Sequence, residues 1–186
     1  MATQNQIAYK LWEMNMQNQS NIEIDTERLF LRTITEADAV VVKELDVTKN
    51  DFESEAAVLE WIKWVNKVNS EGRLIINFYI WHKQSNQCIG RVYIHSKPEL
   101  NGEVEIAYGI NEEHRNKGYA TEAAKAVVKF AFEKAGQNAL SAIAKPENIS
   151  SRRVIEKLGF TYHGTRTVLD NGENIDFDYF KLIRTE

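Results

Sequence analysis

The residues best placed to do chemistry lie between Val104 and Ala120, where the alternating segment VEIAYGI runs through a short polar stretch into Arg115-Asn116-Lys117-Gly118-Tyr119-Ala120 and then into a long amphipathic pattern. Strand, glycine-bearing loop and helix start in that order build an anion site. The first N–H groups of a helix lack internal partners, and the aligned peptide dipoles place about half a positive charge there. Gly118 has no Cβ, so the backbone can approach a bulky phosphate and adopt dihedrals that other residues avoid. Taken alone, Asn116-Lys117-Gly118 would equally serve as an ordinary polar turn. The chain contains no Gly-x-x-x-x-Gly-Lys-Ser/Thr and no Gly-x-Gly-x-x-Gly. That removes the lysine and hydroxyl of a triphosphatase loop and the fingerprint of a dinucleotide site.

The elements that would hold this loop can be read from period and capping. Arg28 to Thr33 alternates like a half-buried strand, and Thr35 with Asp38 three residues on starts a helix that runs to about Leu45. Val58, Leu59, Trp61, Ile62, Val65 and Val68 form the apolar face of a second helix, about Ala56 to Val68. Strands follow at Leu74 to Trp81 and Cys88 to His95, joined by a polar hairpin at Lys83 to Gln87, then at Val104 to Ile110. The helix after the loop, about Tyr119 to Ala135, buries Ala120, Ala123, Ala124, Val127, Val128, Ala131 and Phe132, and Gly136 caps it. Leu140 to Ala144 is a short strand ended by Lys145-Pro146. Asn148 caps a further helix with Gly159 past its end, and strands near Phe160 to Gly164 and Ile175 to Ile183 flank a turn at Asp170-Asn171-Gly172.

Composition sets limits. With 186 residues, 43% of them hydrophobic and 10% aromatic, one domain can bury a full core. Residues 23–186 are expected to form it, and the Gln/Asn-rich residues 1–22 read as a flexible or loosely docked arm, although Ile7, Leu11, Trp12 and Met14 could form a short helix. A net charge of −4 without a long basic run argues against nucleic acid as a partner. One cysteine, Cys88, in an apolar strand points to the reducing cytoplasm, and no signal peptide or 18-residue apolar run points to a membrane. His82, His95, His114 and His163 are scattered, so no metal is expected, and no Gly-x-Ser-x-Gly elbow occurs. Glu112, Glu113 and His114 read as a solvated rim of the loop.

Arg-x-x-Gly-x-Ala after a strand resembles the pyrophosphate loop of the GCN5-related N-acetyltransferases. Three other segments extend the likeness. Thr26-Glu27-Arg28-Leu29-Phe30-Leu31-Arg32 is similar to the opening strand of that family's ribosomal-protein N-terminal acetyltransferase branch, Ile106-Ala107-Tyr108-Gly109-Ile110 to its central strand, and Asn148 to Phe160 to its closing helix and turn. The resemblance spans most of the chain from Thr26 onward. It implies an α/β fold with a mixed, mostly antiparallel central sheet flanked by helices, and a V-shaped splay between two central strands. It further implies acetyl-CoA as co-substrate, held by Tyr108, Gly109, Ile110, Arg115, Asn116, Lys117, Gly118, Tyr119, Ala120 and Asn148. The pantetheine amides would pair with free backbone groups in the slot like an added strand.

Direct attack by an amine needs a base for its proton and a donor for the departing thiolate. Glu105 is the candidate base, directly or through a water, with Glu103 in reserve; either would also serve as a salt-bridged strand carboxylate. Ser151 is the candidate donor. Many relatives place a tyrosine in the closing helix where this chain has Ile155, so Ser151, Tyr108 or water must serve. Asn148 can cap its helix and touch the pantetheine arm at once. The acceptor, a protein N-terminal amine or a small-molecule amine, would be lined by Trp61, Trp64, Tyr79, Trp81, Tyr162 and Phe177, residues that would otherwise pack the core. A non-catalytic acyl-CoA-binding or partner-binding domain of the same fold is the alternative, and monomer and homodimer stay open.

Overall fold

Apolar residues at every second position of the central strands require a sheet covered on its faces, and the caps and glycines decide where the covering helices begin and end. The computed structural model describes residues 22–45, 47–48, 51–170 and 172–185. The expected arm, apart from Ile22, and Asn171 of the last turn lie outside these. The elements are β1 (Glu23–Asp25), β2 (Leu29–Arg32), α1 (Ala39–Glu44), α2 (Glu55–Ser70), β3 (Ile75–His82), β4 (Gln87–Lys97), β5 (Glu103–Ile110), α3 (Tyr119–Glu133), β6 (Ala139–Ala144), α4 (Ile149–Lys157), β7 (Thr161–Asp170) and β8 (Glu173–Ile183). The sheet order is β1-β2-β3-β4-β5-β6-β8-β7. Every neighbouring pair is antiparallel except β5 with β6.

Local chemistry explains the boundaries. Ser54 accepts the Ala57 N–H at the start of α2, and Asn148 accepts the Ser151 N–H at the start of α4. Gly136 and Gly159 both take left-handed backbone, φ +66° and +88°, and the amides of Gln137 and Phe160 fold back onto the carbonyls of Ala131 and Ile155. The helix expected from Thr35 begins as a short 3-10 turn, Glu36–Asp38, before α1. Two strands depart from expectation. Glu23–Asp25 pairs with β2, and three residues are too few to display a period. β7 does not stop near Gly164 but continues to Asp170, because Gly164, at φ +90°, sits in a bulge opposite Tyr179 rather than in a turn.

The even residues of β3 to β5 (Ile76, Phe78, Val92, Ile94, Ile106) join Leu29, Leu31, Leu140, Ala142 and Phe180 beneath Ala123, Ala124, Val127 and Ala131 of α3 in one apolar cluster. The opposite face has α1 and α2 over Tyr79 at one side, and Leu100 with Val168, Phe177 and Tyr179 at the other.

Candidate active site

β5 and β6 are parallel neighbours, yet their register holds one pair, Glu105↔Ser141. Past it the strands part, so the backbone groups of β5 that point away from β4 face an open slot toward Tyr108, Gly109 and Ile110. β5 leads into the anion loop on the α3 side of the sheet. Gly118 takes left-handed backbone (φ +82°) at the N-cap of α3, Asn116 is likewise left-handed (φ +61°), and the first helical bond runs from Glu122 N–H to the Gly118 carbonyl.

A groove of about 750 Å³ extends from this loop to α4. It brings together Tyr108, Ile110, Arg115, Asn116, Gly118, Tyr119, Ala120, Asn148 and Ser151 of the expected site. Gly109, Lys117 and Glu105 do not line it. Gly109 points to the other face, against Val47; the Lys117 ammonium donates to the Glu113 carbonyl. The groove wall also includes His114, Arg153 and Lys157 and, among the described residues, no carboxylate, so the walls as well as the helix dipole favour a polyanion. His114 is not on a solvated rim: its side chain is 14% exposed, beside the rings of His82 and Tyr119.

Sequence reasoning read Arg28 only as part of a strand, and it missed the brace this residue builds. The Arg28 guanidinium pairs with Glu122 at 2.7 Å, donates to the Lys117 carbonyl at 2.9 Å and lies 4.7 Å from the centre of the Tyr119 ring. Glu122 in turn accepts the Arg28 N–H and the Thr26 hydroxyl. Burial alone would raise the Glu122 pKa, but these donors hold its carboxyl below the usual range. The β1–β2 turn is thereby fastened to the first turn of α3, and the Lys117 carbonyl is engaged by Arg28.

At the slot, the Tyr108 hydroxyl donates to the Ser151 carbonyl at 3.0 Å and lies 3.2 Å from Ser151 Oγ. Burial pushes the Tyr108 pKa up to about 12, partly opposed by Ser151, so the phenol keeps its proton at neutral pH. The two candidate donors therefore form one unit. An ion pair between Arg152 and the buried Asp178 (3.0 Å) fastens α4 to β8.

Glu105 lies on the opposite face, 4% exposed, its Oε2 paired with Lys97 Nζ at 2.9 Å and with His95 Nε2 at 3.2 Å. Beyond it β5 presents only Ala107 and Gly109 on that face, with Gly109 against Val47. Glu103, the reserve base, accepts from the Tyr179 hydroxyl (2.5 Å) and Lys181 (2.9 Å); burial pushes its pKa up, but these donors outweigh it and the net direction is down. The expected acceptor aromatics are not gathered. Tyr79 is fully buried, Trp81 lies under Arg32, Trp64 near Arg73, Tyr162 on Phe180, and Phe177 in the cluster with Leu100. Trp61 lines a pocket of about 210 Å³ with Thr33, Ile62, Val65, Ile75 and Asn77.

Residues 28–161 match the acetyltransferase (GNAT) domain model. The N-acetyltransferase p20 of Bacillus licheniformis is 29% identical over 171 residues, covering 87% of this chain and 96% of the relative. Among solved structures, the ribosomal-protein-S5-alanine acetyltransferase of Vibrio fischeri superimposes with a TM-score of 0.74 at 18% identity, covering 87% of this chain and 96% of that one. Mycobacterium smegmatis RimJ, solved with CoA-disulfide, does so with a TM-score of 0.69 at 17% identity over 83% and 81%. Strand order, splayed slot, cationic groove and family match coincide, and the chain belongs to the GCN5-related N-acetyltransferases, acetyl-CoA-dependent acyltransferases.

Proposed function

We propose that this chain transfers the acetyl group of acetyl-CoA to a primary amine, of a protein N-terminus or of a small molecule, by direct attack within a ternary complex. The observation that carries the reading is the single-pair junction of β5 and β6 at the end of a cationic groove. The loop at Arg115 to Ala120 receives the pyrophosphate, with Gly118 allowing close approach and Arg28 bracing the turn. The pantetheine arm lies along Tyr108 to Ile110 and meets Asn148. The thioester reaches the slot between Tyr108–Ser151 on one face and Ala107 on the other. An amine arriving over Ala107 loses a proton on the Glu105 side of the sheet, attacks the carbonyl carbon and expels the thiolate, which takes a proton from Ser151 or Tyr108. Positioning two reactants this way can lower a barrier by roughly 7–11 kcal/mol, so little further side-chain chemistry is needed.

The test is thiol release from acetyl-CoA with a panel of N-terminal peptides, polyamines and other small amines. Amine-dependent release that vanishes in Gly118→Asp supports the reading. CoA binding without release for any amine would make the chain a binding domain instead.

A further inference from the structure

The face of β4 and β5 that α1 and α2 leave uncovered carries a row of polar groups, and one of them is better placed than Glu105 to meet an arriving amine. The Glu105 carboxylate is 5% exposed and its Oε2 is shared by Lys97 and His95. A carboxylate so enclosed is an acceptor for its neighbours before it is a base for a substrate. His95 stands directly opposite it in the β4–β5 register, and its side chain is 26% exposed. The bond from Nε2 to Glu105 fixes the tautomer, because a carboxylate can only accept: Nε2 bears the hydrogen and Nδ1 keeps its lone pair. Among the described residues none bonds Nδ1. The ring is held from the side by Tyr93, 5.4 Å between centroids.

Its place is equally telling. His95 pairs with Ile75 on β3 as well as with Glu105 on β5, and Tyr93 pairs with Asn77 and Ala107. Ile75 and Asn77 form the floor of the 210 Å³ pocket beside Trp61. Two strand spacings of roughly 4.8 Å therefore separate that pocket from the mouth of the slot, and His95 lies between them.

We propose that His95 takes the amine proton in the transfer reaction, with Glu105 acting as a positioning residue that sets its tautomer and ring orientation. This rests on the function proposed above and names the proton acceptor within it. The ammonium N–H bond breaks with its proton passing to His95 Nδ1. His95 releases that proton to water, and the freed nitrogen pair forms the C–N bond as the C–S bond breaks. The second N–H proton leaves nitrogen by the same route through His95 to water, and the thiolate takes a proton from the Tyr108–Ser151 unit, which water reprotonates. The charged and titratable groups facing the imidazole are Lys97 and Tyr93 from its own strand and Glu105 and Glu103 from β5; β3 contributes Ile75.

Two measurements test this. Long-range nitrogen–proton spectra of the whole protein should show neutral His95 as the Nε2–H tautomer, and Glu105→Gln should loosen that preference; this readout needs no turnover, so it is independent of whether an acceptor is found. An Nδ1–H tautomer in the wild type would overturn the proposal. With the best acceptor from the amine panel, His95→Gln should lower kcat by about 10²-fold near pH 7 while CoA affinity changes less than about twofold, and the deficit should shrink at high pH, where the amine deprotonates itself. Added imidazole should restore part of the rate of His95→Ala and none of that of Glu105→Gln. Wild-type turnover in His95→Gln alongside a collapsed Glu105→Gln would show that Glu105 is the base itself.

Discussion

Beneath α3, the sheet presents an unbroken apolar surface from Leu29 to Phe180; on the α2 side, separate apolar clusters flank a strip of Arg91, Tyr93, His95, Lys97, Glu103 and Glu105. The same strands build both, since successive side chains alternate between faces. The α3 face has only to be covered, and each fully buried Ile or Leu contributes roughly 1.5–3 kcal/mol there. The strip is tied together by cross-strand ion pairs, which are worth less. Stability is thus concentrated on one side, and the other keeps a row of charged and polar groups.

That division can be broken experimentally. The largest effect is expected at the loop on the covered face: Gly118→Asp adds a side chain at φ +82° and a negative charge at the N-terminus of α3, and calorimetry should show CoA affinity falling by about 100-fold or more in a chain that still melts cooperatively. Unchanged affinity would sink the cofactor assignment. Next, Ser151→Ala should lower turnover by roughly 5- to 150-fold with CoA affinity nearly unchanged, the signature of a bond made only in the transition state. If the rate survives, the donor to sulfur is Tyr108 or water.

On the strip side, Asp38 measures stability alone. Arg32 binds it through two contacts of 2.7 and 2.9 Å and, outweighing burial, holds its carboxyl below the usual range. A lowered folded pKa means stability present above the unfolded value near 4 and lost as pH falls through the folded one. Asp38→Asn should therefore cost about 2 kcal/mol at neutral pH by thermal melt, leave CoA affinity untouched, and converge with wild type in acid. The smallest effect belongs to Asn148→Ala, about 1 kcal/mol of stability from the lost cap, accompanied by weaker CoA binding; loss of stability alone would confine Asn148 to capping.

Much of this was legible in the sequence, for a reason visible in particular residues. Gly118, Gly136, Gly159, Asn148 and the alternation of Val104 to Ile110 report on their own backbone, so the loop, the caps and the central strand could be read locally. What escaped depends on register. Arg28 meets Glu122 across 94 positions, and His95 meets Glu105 only because β4 and β5 pair as they do. Gly164 looked like a stop because a left-handed glycine marks a bulge and a turn alike. The acceptor aromatics failed as a group for a related cause: Trp and Tyr are selected for burial before anything else, and type alone does not separate wall from ligand contact.

The lone pair Glu105↔Ser141 has a mechanical consequence. Apart from it the sheet is two antiparallel ribbons, Glu23–Ile110 and Ala139–Ile183, joined through α3. A joint this narrow concentrates compliance, and local opening follows the weakest ladder. Amides of β5 beyond Glu105 on the slot side should exchange with solvent well before those bonded to β4, and CoA should slow them by supplying the missing strand.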